Sequence, residues 1–201
     1  MSTAPHTSHD RRLDAEPAQR ILEAARVLVA EHGIAQTHVG AIAEEAGLSR
    51  GLVRYYFGSK DGLLADVLAA DGTEREAVLR RRLEPAGTLD EVVAALGAGL
   101  SQDRAGQLVS MEFGSLALRN AEISRQRAEL SVRYRALLAE LLAEKAAAGV
   151  IALAAEEAEP VAAALIAVGQ GLAAEALADP EWDREPAQRI AERAARALLS
   201  R

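Results

Sequence analysis

The segment 37–60, THVGAIAEEAGLSRGLVRYYFGSK, constrains the fold more than any other part of this chain. Its first half places apolar residues at helical spacing, namely Val39, Ile42, Ala43 and Ala46. Gly47 follows, and glycine readily adopts the backbone that a sharp turn needs. Ser49 is then a good N-cap for a second, short helix. The segment therefore predicts two helices joined by a tight turn.

The second helix of this pair is predicted to have two different faces. Val53 and Phe57 are four residues apart, so they share one side, which we expect to face a domain core. Arg50, Arg54 and Tyr55 point away from that side. A short helix with a basic outer face fits the major groove, where arginine can donate two hydrogen bonds to guanine O6 and N7. The pattern predicts a helix that contacts base edges of DNA.

The same segment resembles the DNA-binding end of the TetR family of bacterial regulators. The family pattern is T-x-x-x-I-A-x-x-A-G-[VL]-S-[KR]-G-x-[LIV]-Y-x-[YH]-F-x-S-K-x-x-L-[LF], preceded by a helix that ends at glycine. This chain supplies Gly33, Ile42, Ala43, Ala46, Gly47, Leu48, Ser49, Arg50, Gly51, Val53, Tyr56, Phe57, Ser59, Lys60, Leu63 and Leu64 in register. It departs at Leu52, where the family often has a small residue, and at Arg54, where it often has tyrosine. The base preference therefore cannot be copied from relatives.

We assign roles in DNA binding to nine residues. We expect Arg50 and Arg54 to contact base edges, with Tyr55 at a thymine methyl or a base edge. The phosphate contacts are assigned to Ser49, Tyr56, Lys60 and His38. Gly40 and Gly51 are expected to let the protein backbone approach the DNA closely. The alternative is that Arg54 or Tyr55 only solvates a surface helix or packs on the next helix, and that His38 is merely exposed.

The net charge of −7 is compatible with a DNA-binding protein once it is divided along the chain. Residues 1–60 hold seven basic and seven acidic side chains, so all of the excess acid lies in residues 61–201. The acidic part is therefore separate from the predicted DNA-binding segment, and it limits nonspecific binding to nucleic acid.

The rest of the chain has helical periodicity and no alternation typical of strands. The predicted helices beyond the pair are 17–31, 59–82, one opening at the capping box Thr88–Glu91, 104–119, 122–148, 157–177 and one from about 184. The predicted fold is all-α, with an N-terminal three-helix helix-turn-helix DNA-binding domain and a C-terminal helical ligand-binding and dimerisation domain. The predicted divisions are a disordered tail at 1–14, the DNA-binding domain at 15–75 with its motif at 38–57, and the C-terminal domain at 76–201.

The helix predicted at 157–177 is apolar on two faces, which a single core does not explain. We therefore expect one face to meet a second copy of the chain; the resemblance implies a four-helix dimer interface built with the last helix. The residues assigned to it are Val161, Leu165, Val168, Leu172, Ile190, Ala194 and Leu198. The alternative is a small-residue helix packed tightly inside a monomer.

The resemblance also implies a small-molecule effector bound among the middle helices. Candidate ligand-binding residues combine apolar walls with a few polar groups: Gln107, Met111, Phe113, Leu116, Tyr134 and Gln170. Each is equally consistent with ordinary core or surface, and an effector could be absent. The ligand is not identified by the sequence, although an apolar or amphipathic compound is mildly favoured.

An enzyme is disfavoured because the predicted C-terminal domain lacks the usual catalytic side chains. The chain has no cysteine, and its four histidines all precede the fourth helix, at His6, His9, His32 and His38. We predict no catalytic residues, no metal site and no cofactor. No signal peptide and no membrane-spanning stretch are expected, which predicts a cytoplasmic protein.

The favoured interpretation is a homodimeric repressor that binds a pseudo-palindromic double-stranded DNA operator and is released by an unknown effector. An activator, or an architectural DNA-binding protein without an effector, stays open as an alternative. A helical enzyme or binding protein whose N-terminal resemblance is vestigial is a third, disfavoured interpretation.

Overall fold

The structure is a computed structural model that describes residues 13, 15–100 and 104–200, with only the backbone described at 98–100. In these residues the regular elements are helical, and a lone parallel bridge joins Ala152 and Ser200. The helices are α1 (Glu16–Gln36), α2 (Val39–Glu45), α3 (Arg50–Phe57), α4 (Lys60–Leu83), α5 (Leu89–Leu100), α6 (Arg104–Ala117), α7 (Ala121–Ala147), α8 (Ala158–Ala178) and α9 (Glu185–Leu198), with a 3₁₀ turn at Ala155–Glu157. The all-α prediction is confirmed. The predicted disordered tail, 1–14, lies outside the described residues except at 13.

The helix starts follow the capping residues of the sequence. Ser59 Oγ accepts the Gly62 N–H at 3.0 Å at the start of α4. Thr88 and Glu91 form the predicted reciprocal capping box at α5, with each side chain accepting the other's backbone N–H at 3.2 Å. Asn120 Oδ1 also accepts the Ile123 N–H at 3.1 Å and caps α7, which the sequence analysis did not predict.

The end of α1 differs from its prediction. The helix was expected to end at Glu31, and it continues to Gln36. Gly33 nevertheless interrupts it, because φ of 75° and ψ of 162° are not helical. The glycine was correctly identified as the break, but the chain resumes a further helical turn after it.

The chain forms two compact units. The first takes the chain up to Asp71 together with Leu108–Arg127, and the second takes Gly72–Gln107 together with Ala128–Arg201. The second half of α6 therefore belongs with the N-terminal helices. The domain boundary placed between 75 and 76 stays a prediction.

Each unit has its own buried apolar side chains. In the first unit Ile21, Ile42, Leu63 and Phe113 are fully buried. The second unit has one contiguous core of leucine, isoleucine, valine and alanine, contributed by α4, α5, α7, α8 and the segments that follow α4, α7 and α9: Leu79, Leu83, Ala86, Val92, Leu137, Leu138, Leu141, Leu142, Ile151, Val161, Ala162 and Leu199. In this unit α5 packs on both α8 and α9.

The expectation that no stretch is long and apolar enough to span a membrane was wrong. The stretch Ala155–Ala178 meets that test by length and composition, with a mean hydropathy of 1.7. Its acidic residues lie near its two ends, so they do not interrupt the apolar centre. Only 17% of its most apolar window is buried within the chain, so this helix presents an unusually apolar exposed surface.

Candidate nucleic-acid interface

The α3 helix has the two faces that the sequence predicts. Ser49 caps it, since its Oγ accepts the Leu52 N–H at 3.2 Å. Val53 and Phe57 are buried in the first unit, with 2% and 6% of their surface exposed. Arg50 and Arg54 are exposed on the outer side. The helix therefore presents a basic outer face while its inner face is fixed by packing.

The turn before α3 is held by a residue that the sequence analysis missed. Gly47 has a φ of 64°, which favours glycine. Arg20 of α1 donates through Nη2 to the carbonyl oxygen of Ala46 at 2.5 Å, at the C-terminal end of α2. A guanidinium suits that end, where helix carbonyls lack intrahelical partners. A Cβ on Gly47 would lie 2.9 Å from that Nη2, so the turn and Arg20 pack closely.

The two glycines assigned to DNA approach have different surroundings. A Cβ on Gly40 would lie 2.7 Å from Nη2 of Arg50. Gly40 therefore makes room for the Arg50 side chain against α2. Gly51 is less crowded, since the nearest atom to its Cβ position is Ser49 Oγ at 3.7 Å, an ordinary van der Waals distance. Of the two glycines, Gly51 offers the clearer path for a DNA backbone.

The four residues assigned to phosphate contacts differ in their exposure and in their hydrogen bonds. His38 is exposed just before α2, and its imidazole makes no capping hydrogen bond. Tyr56 is half-buried and stacks edge-on with Tyr55, with ring centroids 5.2 Å apart. Ser49 accepts a hydrogen bond through its oxygen, which leaves its hydroxyl proton for a phosphate. Lys60 is half-buried and donates to a backbone oxygen of its own unit, the carbonyl of Ile34, at 2.8 Å.

The chain after Gly33 is clamped from two sides. Glu112 of α6 accepts the Ile34 N–H through Oε2 at 2.8 Å, while Lys60 donates to the Ile34 carbonyl. Thr37, which is 1% exposed, donates through Oγ1 to the Gly33 carbonyl at 2.8 Å. These contacts fix the path of the chain from α1 into α2. We call the contacts of Glu112 and Lys60 with Ile34 the Ile34 clamp.

Removing the carboxylate from the Ile34 clamp is expected to destabilise the first unit. Glu112→Leu leaves a backbone N–H without its partner, which costs roughly 1–3 kcal/mol when that group is buried. Glu112→Gln keeps an acceptor oxygen, so it should lose less. Urea unfolding of both variants measures the difference. Glu45→Leu, at an exposed acid of the same unit, is the matched control. Equal stability of Glu112→Leu and Glu45→Leu would show that the hydrogen bond contributes nothing.

The six candidate ligand-binding residues are divided between the two units. Met111, Phe113 and Leu116 belong to the first unit, whereas Gln107, Tyr134 and Gln170 belong to the second. Phe113 and Gln107 are buried, and Gln170 and Met111 are exposed, Met111 by 51%. A surface cavity of about 400 Å³ lies instead between the end of α8 and the start of α9, lined by Trp182 among others, and contains none of the six.

The residues assigned to a dimer interface also need one correction. Val161 is 8% exposed and belongs to the chain's own core, so little of its surface is free for a partner. Leu165 and Leu198 are partly buried against the same core, and Leu172 is half-buried. Val168 and Ile190 are 46% and 54% exposed, and Ala194 is exposed as well. The exposed apolar surface of α8 and α9 centres on Val168 and Ile190.

Comparison with known proteins gives matches along most of the chain. Residues 21–67 match the family model described as bacterial regulatory proteins, tetR family. Residues 85–200 match the model described as BetI-type transcriptional repressor, C-terminal. The HTH-type transcriptional regulator BetI of Stenotrophomonas maltophilia is 42% identical over 72 residues, which are 34% of this chain and 37% of that protein. The matched stretches span 31–44% of the length of the curated relatives.

Solved structures match over nearly the whole length. A putative TetR-family transcriptional regulator from Rhodococcus sp. is 25% identical, with a TM-score of 0.77, covering 92% of this chain and 99% of that one. A putative transcriptional regulator from Saccharomonospora viridis, solved in complex with choline, is 21% identical with a TM-score of 0.70, covering 90% and 94%. The second likeness shows the fold alone.

Proposed function

The chain belongs to the TetR family of bacterial transcriptional regulators, and from that premise we propose that it is a cytoplasmic repressor released from its operator by a small molecule. It is a DNA-binding transcriptional regulator and not an enzyme.

The observation that carries the DNA-binding part is the two-faced α3 helix. Its inner side is fixed by Val53 and Phe57, and its start is fixed by the Ser49 cap. Its outer side exposes Arg50 and Arg54. A rigidly held helix with arginines outward meets the geometric needs of major-groove recognition, in which side chains near the helix N-terminus contact base edges.

The proposed dimer is supported by the exposed apolar surface of α8 and α9. An apolar helix surface centred on Val168 and Ile190 costs free energy in water, and burial against a second copy removes that cost. A two-fold axis through this surface would relate two α3 helices. The proposed operator is therefore a pseudo-palindrome, with half-sites roughly 34 Å apart, about one DNA turn.

The proposed effector response draws on relatives with a similar C-terminal domain. The matching family model describes repressors of the BetI type, and the similar regulator of Saccharomonospora viridis was solved with choline. We propose that a small molecule binds the helices of the second unit. The small molecule weakens operator binding if it binds more tightly to the conformation that does not bind the operator. The coupling free energy between two such binding sites is typically about 1–3 kcal/mol.

Selection of genomic DNA fragments by the purified protein, followed by titration of the enriched site, tests this proposal. We expect a two-fold symmetric motif, and an affinity that falls steeply with salt because phosphate contacts release counterions. Transcription from a promoter that carries the motif should fall when the protein is added. Selection that enriches no motif would exclude the regulator, while increased transcription would make it an activator.

A further inference from the structure

The side chain of Arg50 lies against α2 at the position of Gly40. A Cβ on Gly40 would lie 2.7 Å from Nη2 of Arg50, and 3.0 Å from both its Cζ and its Nε. Non-bonded carbon atoms are normally about 3.5–4.0 Å apart, so a side chain at this position would displace the guanidinium. The similar distances mean that one edge of the guanidinium lies along the glycine. We call this contact of Arg50 with Gly40 the Gly40 seat.

The backbone of α2 does not itself require a glycine at this position. Gly40 is the second residue of a regular helix, and glycine is a poorer helix former than alanine. Among the described residues the glycines with a positive φ are Gly33, Gly47, Gly58 and Gly149, and Gly40 is not one of them. The neighbour that a side chain on Gly40 would strike is Arg50. The space above Gly40 is therefore used by the guanidinium.

The guanidinium of Arg50 keeps its charge and its donors available. Arg50 is exposed, and within the described part of the chain no hydrogen bond or ion pair engages its side chain. Arg20 of the same unit is different, because it contacts Glu16 and the carbonyl oxygen of Ala46. A glycine offers no side-chain acceptor to the N–H donors of a guanidinium. The Gly40 seat therefore places a cation without neutralising it.

The Gly40 seat lies on the first helix of the helix-turn-helix pair. Arg50 is the first residue of α3, but its guanidinium reaches the second residue of α2, and these two helices pack together. In helix-turn-helix proteins the first helix of the pair crosses the DNA backbone, while the second lies in the major groove. A guanidinium held on α2 is thus placed for a phosphate oxygen. A side chain that projects directly from α3 is placed for a base edge.

We infer that Gly40 is a positioning residue for DNA binding: it seats the guanidinium of Arg50 on α2, and the seated group binds a phosphate of the operator backbone. Arginine binds phosphate through parallel N–H donors, which requires a defined orientation of the guanidinium plane. The base-edge role that the sequence predicts for Arg50 then falls to Arg54 and Tyr55. The inference deepens the proposed function and rests on the DNA binding proposed above.

A double-mutant cycle on the full chain tests the positioning role. Gly40→Ala should weaken operator binding at least about fivefold, because the methyl displaces the guanidinium, and Arg50→Ala should weaken it at least about tenfold. In the Arg50→Ala background, Gly40→Ala should change the affinity less than about twofold, since no guanidinium remains to displace. The thermal midpoint of Gly40→Ala should not fall, because alanine favours the helix. Gly87→Ala is the control, since its methyl would meet only Glu91 Oε2 at 3.7 Å, in the second unit.

The salt dependence of binding tests the phosphate contact. Loss of one phosphate contact from each subunit of a dimer should reduce the slope of log affinity against log salt by about two. Arg50→Ala should therefore show this flatter slope, and it should weaken binding to the operator and to a scrambled duplex by the same factor. Gly40→Ala should change the slope in the same direction. A purely structural role of Gly40 would leave the slope at its wild-type value.

Three results would overturn the inference. An unchanged affinity of Gly40→Ala would mean that the seat does not matter, and an equal loss with and without Arg50 would mean that the methyl obstructs the DNA itself. A loss in Arg50→Ala that is confined to the operator, with an unchanged salt slope, would return Arg50 to a base edge. Failure of the proposed function is separate. If the wild-type protein selected no motif, the operator proposal would fail, while the same cycle on nonspecific duplex DNA would still decide the role of Gly40, because phosphate contacts do not depend on sequence.

Discussion

Replacing Arg54 with alanine is expected to weaken operator binding severely while leaving the fold intact. Loss of one arginine contact to a base edge costs roughly 1–3 kcal/mol, and a dimer loses two such contacts. Arg54 is exposed, and within the described residues its side chain has no hydrogen bond or ion pair to lose. The thermal midpoint should therefore stay close to that of wild type.

Titration of the selected operator and of a scrambled duplex measures this effect. Arg104→Ala, which makes the same charge change at an exposed position at the start of α6 and outside α8 and α9, is the matched control. If Arg54 contacts a base, Arg54→Ala should lose much of its affinity for the operator and little of its affinity for scrambled DNA. It should also select bases less strictly at one position of each half-site. Equal losses on both duplexes would reassign Arg54 to a phosphate, and an equal loss in Arg104→Ala would leave only a general charge effect.

The local geometry around α3 was predictable because its signals are local. Glycine at 47, a serine cap at 49, and apolar residues four apart at 53 and 57 each act within one or two helical turns. The same holds for the capping box at the start of α5. Such patterns constrain the backbone directly, so the sequence alone predicts them.

The contacts that hold the DNA-binding helices in place were not predictable in this way. Arg20 reaches a carbonyl 26 residues later, and Glu112 reaches an N–H 78 residues earlier. Lys60 was assigned to a phosphate, and the sequence did not show that its ammonium also donates to the Ile34 carbonyl. Long-range polar contacts of this kind depend on tertiary packing, and charged helix residues carry no sequence signal that separates them from solvated ones.

In the C-terminal helices the sequence identified an apolar face, but not which of its residues are buried within the chain. Periodicity marked Val161 and Val168 as one apolar face, and it does not reveal which part of that face meets the chain's own core. The structure divides them, because Val161 is 8% exposed and Val168 is 46% exposed. The exposed part, extended by Ile190 of α9, is where a second copy of the chain would bind.

Replacing Val168 with glutamate is accordingly expected to abolish the proposed dimer. Two-fold symmetry would bring two carboxylates into one apolar contact, where burying unpaired charge is strongly unfavourable. The monomer should keep its helical content, since Val168 is half exposed within the chain. Operator affinity should fall by at least about a hundredfold, because each half-site then binds without the effective concentration that the second one supplies.

Sedimentation, circular dichroism and operator titration distinguish the possible results. Val132→Glu is the matched control, because Val132 is 56% exposed on α7 and lies outside the surface centred on Val168 and Ile190. If Val168→Glu stays dimeric, the subunits meet elsewhere, and the exposed apolar surface of α8 must have another partner. If Val168→Glu is a folded monomer that binds the operator as tightly as wild type, two-fold recognition is excluded and one α3 helix suffices. A monomer that binds single half-sites weakly, and shows no preference for their spacing, would establish that the α8 and α9 surface places the two α3 helices on one operator.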